Sequence, residues 1–229
     1  MSTLAAIRAI ATDYDGTLAE NDRVPTSTVA ALRRFKESGR RLILVTGRHL
    51  PDLKQVFGNG LPLFDIAVLE NGGLLYYSST GSTRALSPAP PAALVERLRP
   101  HNLPEFAVGQ TIVATKATEE AIVRDAIDAL GLDLEIILNT DSLMVLPTGV
   151  HKASGLAAAL SELGLDAANV AAIGDAENDI VFLKACGYAV AVANALPQVK
   201  AVATMVMRAP RGAGVEEFIA TVLQDGTVR

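Results

Sequence analysis

Ile7-Arg8-Ala9-Ile10-Ala11-Thr12-Asp13-Tyr14-Asp15-Gly16-Thr17-Leu18 is an apolar run that stops at two carboxylates and a glycine. Ile7 to Tyr14 reads as a buried strand, with Asp13 and Asp15 where it runs out. Outward from it the pattern repeats. Pro25-Thr26-Ser27 opens a helix with Val29, Leu32 and Phe35 at helical spacing, and Gly39 closes it. Leu42 to Val45 is a second apolar run, Pro51 to Phe57 a short helix, and Ile66 to Leu69 a third run. Apolar strands alternating with helices make a parallel sheet covered on both faces. The alternation returns after Lys152. Helix Ala153 to Leu163 leads to strand Val170 to Ile173, and helix Asp179 to Ala185 leads to strand Ala189 to Val192. A short helix near Pro197, strand Thr204 to Met207 and helix Val215 to Leu223 complete it. The fold class expected is α/β, a doubly wound, Rossmann-like parallel-sheet core.

Between the two halves the rhythm changes. Leu74 to Tyr77 and Thr83 to Leu86 read as a hairpin, and Ser87-Pro88-Ala89-Pro90-Pro91 as a linker. Helix Ala92 to Leu98, extended chain from Phe106 to Ala114 and helix Glu119 to Leu130, stopped by Gly131, follow. Leu134 to Leu138 and Leu143 to Leu146 pair as antiparallel strands. This stretch is α+β, so the organisation expected is a core of residues 1–80 and 151–229 with a small inserted domain at 81–150.

Composition narrows the classes. The chain has 229 residues, half of them hydrophobic and 20% charged, too apolar for disorder. A net charge of −5 gives no broad basic face for nucleic acid, and 4% aromatics without Trp argue against base stacking. A single cysteine, Cys186, excludes an internal disulfide and a multi-cysteine zinc site. No apolar run approaches the ~18 residues of a membrane span, and the first residues lack the pattern of a signal peptide. A cytoplasmic protein, monomer or homodimer, with no membrane or nucleic-acid partner is expected.

Four polar clusters fall at the ends of core strands, where open parallel sheets bind ligands. Asp13 and Asp15 stand two residues apart, and their repulsion calls for a counter-charge such as Mg²⁺. A carboxylate can attack phosphorus, and a second one beside it can protonate the leaving oxygen and then activate water. The alternative is turn chemistry at a strand end. Thr46 and Gly47, at a strand end before a helix, can hold a phosphoryl oxygen; a plain N-cap threonine is the alternative. Arg48 reads as a phosphate ligand or, more commonly, an exposed helix charge. Lys152 opens a helix, where the macrodipole disfavours a cation unless an anion is near. It suits a phosphoryl group or a nucleophilic carboxylate, or else is a surface lysine; its neighbour His151 reads as structural. Gly174-Asp175-Ala176-Glu177-Asn178-Asp179 places three acids and an amide in a strand–loop–helix junction, a natural hard-metal set. Asp175 is the first choice for direct ligation, and Asn178 and Asp179 ligate, bridge through water or fix Lys152. Glu177 faces solvent. An acidic helix start is the alternative. Phosphoryl transfer needs all these parts at once, and their joint occurrence weighs more than any one.

DYDGTL, VTGR, the lysine of GVHK and GDAENDI resemble, in order, the four motifs of the haloacid dehalogenase superfamily of phosphatases. The insert between the third strand and the lysine resembles the α/β cap of the Cof-like, sucrose-phosphatase-like and archaeal phosphoglycolate-phosphatase-like subgroup, as does Glu70-Asn71-Gly72-Gly73. The resemblance implies a mobile cap and a Mg²⁺-dependent phosphatase of a small phosphomonoester, of phosphoglycolate or sugar-phosphate type, working through an aspartyl-phosphate. It implies Asp13 as nucleophile and metal ligand, and Asp15 as general acid/base and ligand through its carbonyl. It further implies Thr46, Gly47 and Lys152 as phosphoryl ligands, Asp175 and Asp179 as metal candidates, and Asn178 and Asn71 as supporting residues. Asp15 sets the chain apart from dehalogenases and from ion pumps with threonine there. Cap residues Thr115, Lys116, Asn139 and Met144 are candidates to face the site. Hinges are expected at Pro88/Pro90/Pro91 and Pro147-Thr148-Gly149. The other readings are a phosphomutase and a non-enzymatic phosphate-sensing module.

Overall fold

The computed structural model describes residues 4–225. Its main sheet collects strands from both ends of the chain: β1 (Ala9–Thr12), β2 (Arg41–Val45), β3 (Ile66–Leu69), and a hairpin of β4 (Leu74–Tyr77) and β5 (Thr83–Ala85). After the insert, whose strands are numbered β6 to β9, come β10 (Val170–Gly174), β11 (Tyr188–Ala191) and β12 (Met205–Val206). The order is β12-β11-β10-β1-β2-β3-β4-β5, parallel from β12 through β3 and antiparallel beyond. Consecutive residues of β1, β3, β10 and β11 are all buried, as two covered faces require. Helices α1 (Thr26–Glu37) and α8 (Arg211–Asp225) pack on each other, as do α5 (Lys152–Leu163) and α6 (Ile180–Ala185). Helix α2 (Leu50–Phe57) starts on the His49 ring, whose Nδ1 accepts from Asp52 N–H at 3.2 Å. Helix α7 is Pro197–Val202.

This is the doubly wound α/β core expected. The chain winds away from β1 in both directions, to β2 and β3 on one side and to β10, β11 and β12 on the other. The crevice beyond the carboxyl end of β1 is therefore the topological switch point. Helix α8 begins four residues before the expected Val215, although Gly212 and Gly214 weaken the helical signal there.

The insert is a four-stranded antiparallel sheet with two helices. Its strands β6 (Ala107–Val108), β7 (Val113–Lys116), β8 (Leu134–Asn139) and β9 (Ser142–Pro147) lie in the order β6-β7-β9-β8. Helices α3 (Ala92–Leu98) and α4 (Glu120–Leu130) bury Leu94, Leu98, Val123 and Ile127 against one face. The opposite face carries Ile112 and Met144. The single extended stretch expected from Phe106 to Ala114 is instead a tight hairpin, β6–β7. Strand β5 is still part of the main sheet, so a cut at 80/81 passes through the β4–β5 turn; the chain leaves the sheet only after Ala85.

A buried acid explains the β6–β7 turn. Glu70, just beyond β3, is 1% exposed and adopts φ +51°. Its carboxylate accepts from the N–H groups of Gln110 (3.1 Å) and Thr111 (2.7 Å) and from the Thr111 hydroxyl (2.8 Å). Glu70→Gln turns an NH₂ toward those donors. It is expected to cost about 2 kcal/mol, read as a lower urea midpoint.

Candidate active site

Strand β1 ends at the switch point, and Asp13 N–H still donates to Ile173 O of β10 at 2.9 Å. The Asp13 carboxylate is therefore carried on rigid backbone, 4% exposed. Lys152, first residue of α5, reaches it from across the sheet: Nζ lies 2.5 Å from Asp13 Oδ1 and 2.6 Å from Asp179 Oδ1. His151 caps this helix, its Nδ1 accepting from Ser154 N–H at 3.1 Å, the structural role expected of it. The two carboxylates supply the anion that a lysine at a helix start requires.

Asp179 is fully committed. One oxygen accepts from Lys152, and the other from the N–H groups of Asp175 (2.8 Å) and Ala176 (3.0 Å). It thus folds the loop after β10 and turns Asp175 toward Asp13. Asp175 Oδ1 accepts from Thr17 Oγ1 at 2.6 Å. Asn194, beyond β11, donates to Gly16 O at 2.9 Å. Gly16 has φ +78°, and a Cβ there would lie 2.2 Å from Asp175 Oδ2. The Asp13–Asp175 approach thus depends on glycine at that turn.

Carboxylate oxygens of Asp13, Asp175 and Asp179 come within 4.8 Å of one another. Three acids surround one ammonium. Burial raises the Asp13 carboxyl well above its usual range; Lys152 opposes this, and Asp179, Asp175 and Asp15 add to it. Asp175 is pushed up to about 6, first by burial. Burial alone would lower the Lys152 ammonium, yet Asp13 and Asp179 outweigh it and hold it above its ordinary value. An all-oxygen donor set with surplus negative charge fits a hard divalent cation.

Asp15 points elsewhere. Both its oxygens accept from Arg48, from Nε at 2.8 Å and Nη2 at 2.7 Å. Arg48 also donates to Asp52 (2.7 Å) and to Asp22, and lies over the Tyr14 ring at 5.3 Å. It is therefore neither an exposed helix charge nor a free phosphate ligand, but the centre of three carboxylates, Asp15, Asp22 and Asp52, from separate stretches of the sequence.

These groups open into a cavity of about 680 Å³ between core and insert, with Asp13, Asp15, Gly47, Lys152 and Asp175 in its core-side wall. Thr46 is fully buried outside that wall, its hydroxyl accepting from Arg48 N–H at 3.2 Å. Asn178 donates to Asn71 Oδ1 at 3.2 Å, and both are buried outside the wall. Glu177 is exposed, as expected. From the insert, Lys116, Asn139 and Met144 line the cavity. Met144 sits on Gly47, where a Cβ would lie 3.0 Å from its sulfur. Thr115 does not face the site. Strand alternation turns it to the other side of β7, where its hydroxyl donates to Pro104 O at 2.7 Å. Sequence reasoning misses Asp22, Asp52 and Asn194, and shows Thr17 and Glu70 only as members of DYDGTL and Glu70-Asn71-Gly72-Gly73, with no role of their own. A polar residue just past an apolar strand was the available signal for Glu70 and Asn194. Cys186 is a thiol pushed up to about 12 by burial, with no part in the site. No helix among the described residues is long and apolar enough to cross a membrane.

The family model of the haloacid dehalogenase-like hydrolases matches residues 10–125 and 110–219, and the chain belongs to that family. Within it the chain is a phosphatase, a phosphoric monoester hydrolase. It is 32% identical over 225 residues to the phosphoglycolate phosphatase of Methanothermobacter thermautotrophicus, covering 93% of this chain and 97% of that one. A haloacid dehalogenase-like hydrolase from Bacteroides thetaiotaomicron shares the fold with a TM-score of 0.80 at 21% identity, over 94% of this chain and 99% of that one. The subclass IIB sugar phosphatase BT4131 does so with a TM-score of 0.73 at 21% identity, over 97% and 100%.

Proposed function

We propose that this phosphatase is Mg²⁺-dependent and hydrolyses a small phosphomonoester, with phosphoglycolate the first substrate to test, through an aspartyl-phosphate on Asp13. The observation that carries the reading is the Lys152 ammonium 2.5 Å from Asp13, in one cavity with Asp15 and Asp175. The Methanothermobacter relative, alike over nearly its whole length, supports the substrate class.

In this reading Asp13, Asp175 and the Asp15 carbonyl would hold the ion, while Asp179 braces the loop. Bound there, Mg²⁺ supplies charge neutralisation for the phosphoryl oxygens. Lys152 and the Gly47 N–H hold those oxygens; the Thr46 hydroxyl, buried behind the wall and accepting from Arg48 N–H, joins them only once that loop shifts on binding. An Asp13 oxygen attacks phosphorus in line, and the bond from phosphorus to the ester oxygen breaks. Asp15, once released from Arg48, takes a proton from solvent and gives it to the departing oxygen. It then takes a proton from the water that attacks the aspartyl-phosphate, releasing phosphate and restoring Asp13. Arg48 is thus the resting partner of the general acid/base. The insert acts as a cap that excludes water during attack, swinging on the segments at Pro88/Pro90/Pro91 and Pro147-Thr148-Gly149. A phosphorylated substrate, retained inside cells by its charge, accords with a cytoplasmic enzyme.

A sugar phosphate is the second reading, because the cavity is larger than phosphoglycolate requires. A panel of phosphate esters tests both. Phosphate release with Mg²⁺, lost in EDTA and restored by added Mg²⁺, is the expected result. Interconversion of phosphate isomers without release would point to a mutase. Stable labelling of Asp13 without turnover of any ester would point to a phosphate sensor.

A further inference from the structure

We propose that Lys116 takes a carboxylate at the non-phosphoryl end of the substrate, so that the ester this cavity is built for is a small phosphorylated carboxylic acid. The assignment rests on the phosphatase reading above and sharpens its substrate class.

Strand β7 alternates. Val113 packs among the cap helices and Thr115 bonds to Pro104 O, so Ala114 and Lys116 take the other side and line the cavity. The cavity wall carries seven carboxylates but only three lysines and arginines among the described residues. Such a wall repels an anion unless each of its negative ends meets a cation. Lys152 is bound to Asp13 and Asp179 at the phosphoryl end. Arg48 is divided among Asp15, Asp52 and Asp22. Lys116 is the cation that the cap contributes, and it stands apart from both. Its ion pair is with Glu105, at 2.8 Å, and the Glu105 side chain is 69% exposed. A pair so open to water is weakly held. It already displays a carboxylate seated on this ammonium at the cap end of the cavity. An incoming substrate carboxylate takes the place of Glu105, forming one charge-assisted hydrogen bond as another is released to solvent.

The test compares phosphoglycolate with 2-hydroxyethyl phosphate, in which a hydroxymethyl group replaces the carboxylate. The readout is the ratio of their kcat/KM values. In Lys116→Met the ratio is expected to fall at least about tenfold, chiefly through KM for phosphoglycolate. Lys116→Arg should retain most of the preference. Glu105→Gln, which removes the competing carboxylate, should lower KM for phosphoglycolate. A ratio unchanged in Lys116→Met, with either ester still hydrolysed, overturns the assignment and leaves the phosphatase reading standing. If the unmodified protein hydrolyses neither these esters nor any other, both fall together. If it turns over only esters lacking a carboxylate, this assignment alone is lost.

Discussion

Asp13→Asn is expected to reduce phosphate release by about 10⁵-fold or more while the protein stays folded. The size follows from the role: the amide oxygen is a poor nucleophile, and removing a nucleophile forfeits the covalent route and leaves only binding and electrostatics. Stability should barely move, because two effects oppose each other. The Lys152 ammonium loses a partner at 2.5 Å, but it keeps Asp179 at 2.6 Å. Meanwhile one of three clustered acids loses its charge, which relieves the burial cost first, and then the repulsion from its neighbours, that hold Asp13 well above the ordinary carboxyl range. The pair of measurements is a phosphate assay and a thermal melt in EDTA. Turnover near that of the unmodified protein would remove Asp13 as nucleophile. A large drop in melting temperature would show the lost activity to be a folding defect.

Lys152→Met is the other large change, and it acts on stability as well as on rate. The ammonium is 1% exposed and faces two carboxylates that are 6% and 0% exposed. Deleting one partner of a buried pair leaves charge without compensation, at a cost of about 3–5 kcal/mol. The pH dependence has a definite sign. Asp13 already binds its proton more tightly in the folded state than in the unfolded chain. The loss of Lys152 removes the influence that lowers it, so the variant's folded state gains stability by taking up a proton as pH falls. The deficit should therefore be full above the variant's folded pKa of Asp13 and shrink as pH drops through it, levelling off once Asp13 is protonated in both folded proteins. Urea denaturation of both proteins in EDTA at several pH values checks this. A deficit that stays constant or grows on acidification would mean that Asp13 is not the group left uncompensated.

Much of this was legible in the sequence because parallel strands buried on both faces are nearly continuous apolar runs. Where such a run breaks off at Asp13, at Thr46 or at Asp175, the break lies at the edge of the sheet that ligands use. The four polar clusters could thus be referred to one crevice without any side-chain detail. What stayed hidden depends on partners far away in the chain. Phe106 to Ala114 has enough apolar residues for one strand, and its folding back at Gly109 to Thr111 is fixed by Glu70, forty residues earlier. Arg48 looks like a helix charge until Asp15, Asp22 and Asp52 are seen around it. Thr115 and Lys116 differ by one position in a strand, and which of them faces the cavity is a question of register that composition leaves open.

The Glu70 carboxylate also constrains how the insert can travel. It grips one turn of the insert through three donors, two of them on the buried Thr111. Lifting the whole insert away would break all three bonds at once, at a net cost of about 1 kcal/mol or more for each. Rotation about that turn breaks none. The proposed swing on the two connecting segments is therefore expected to leave Gln110 and Thr111 nearly in place and to carry the other end of the insert, where Asn139 and Ser142 sit, further.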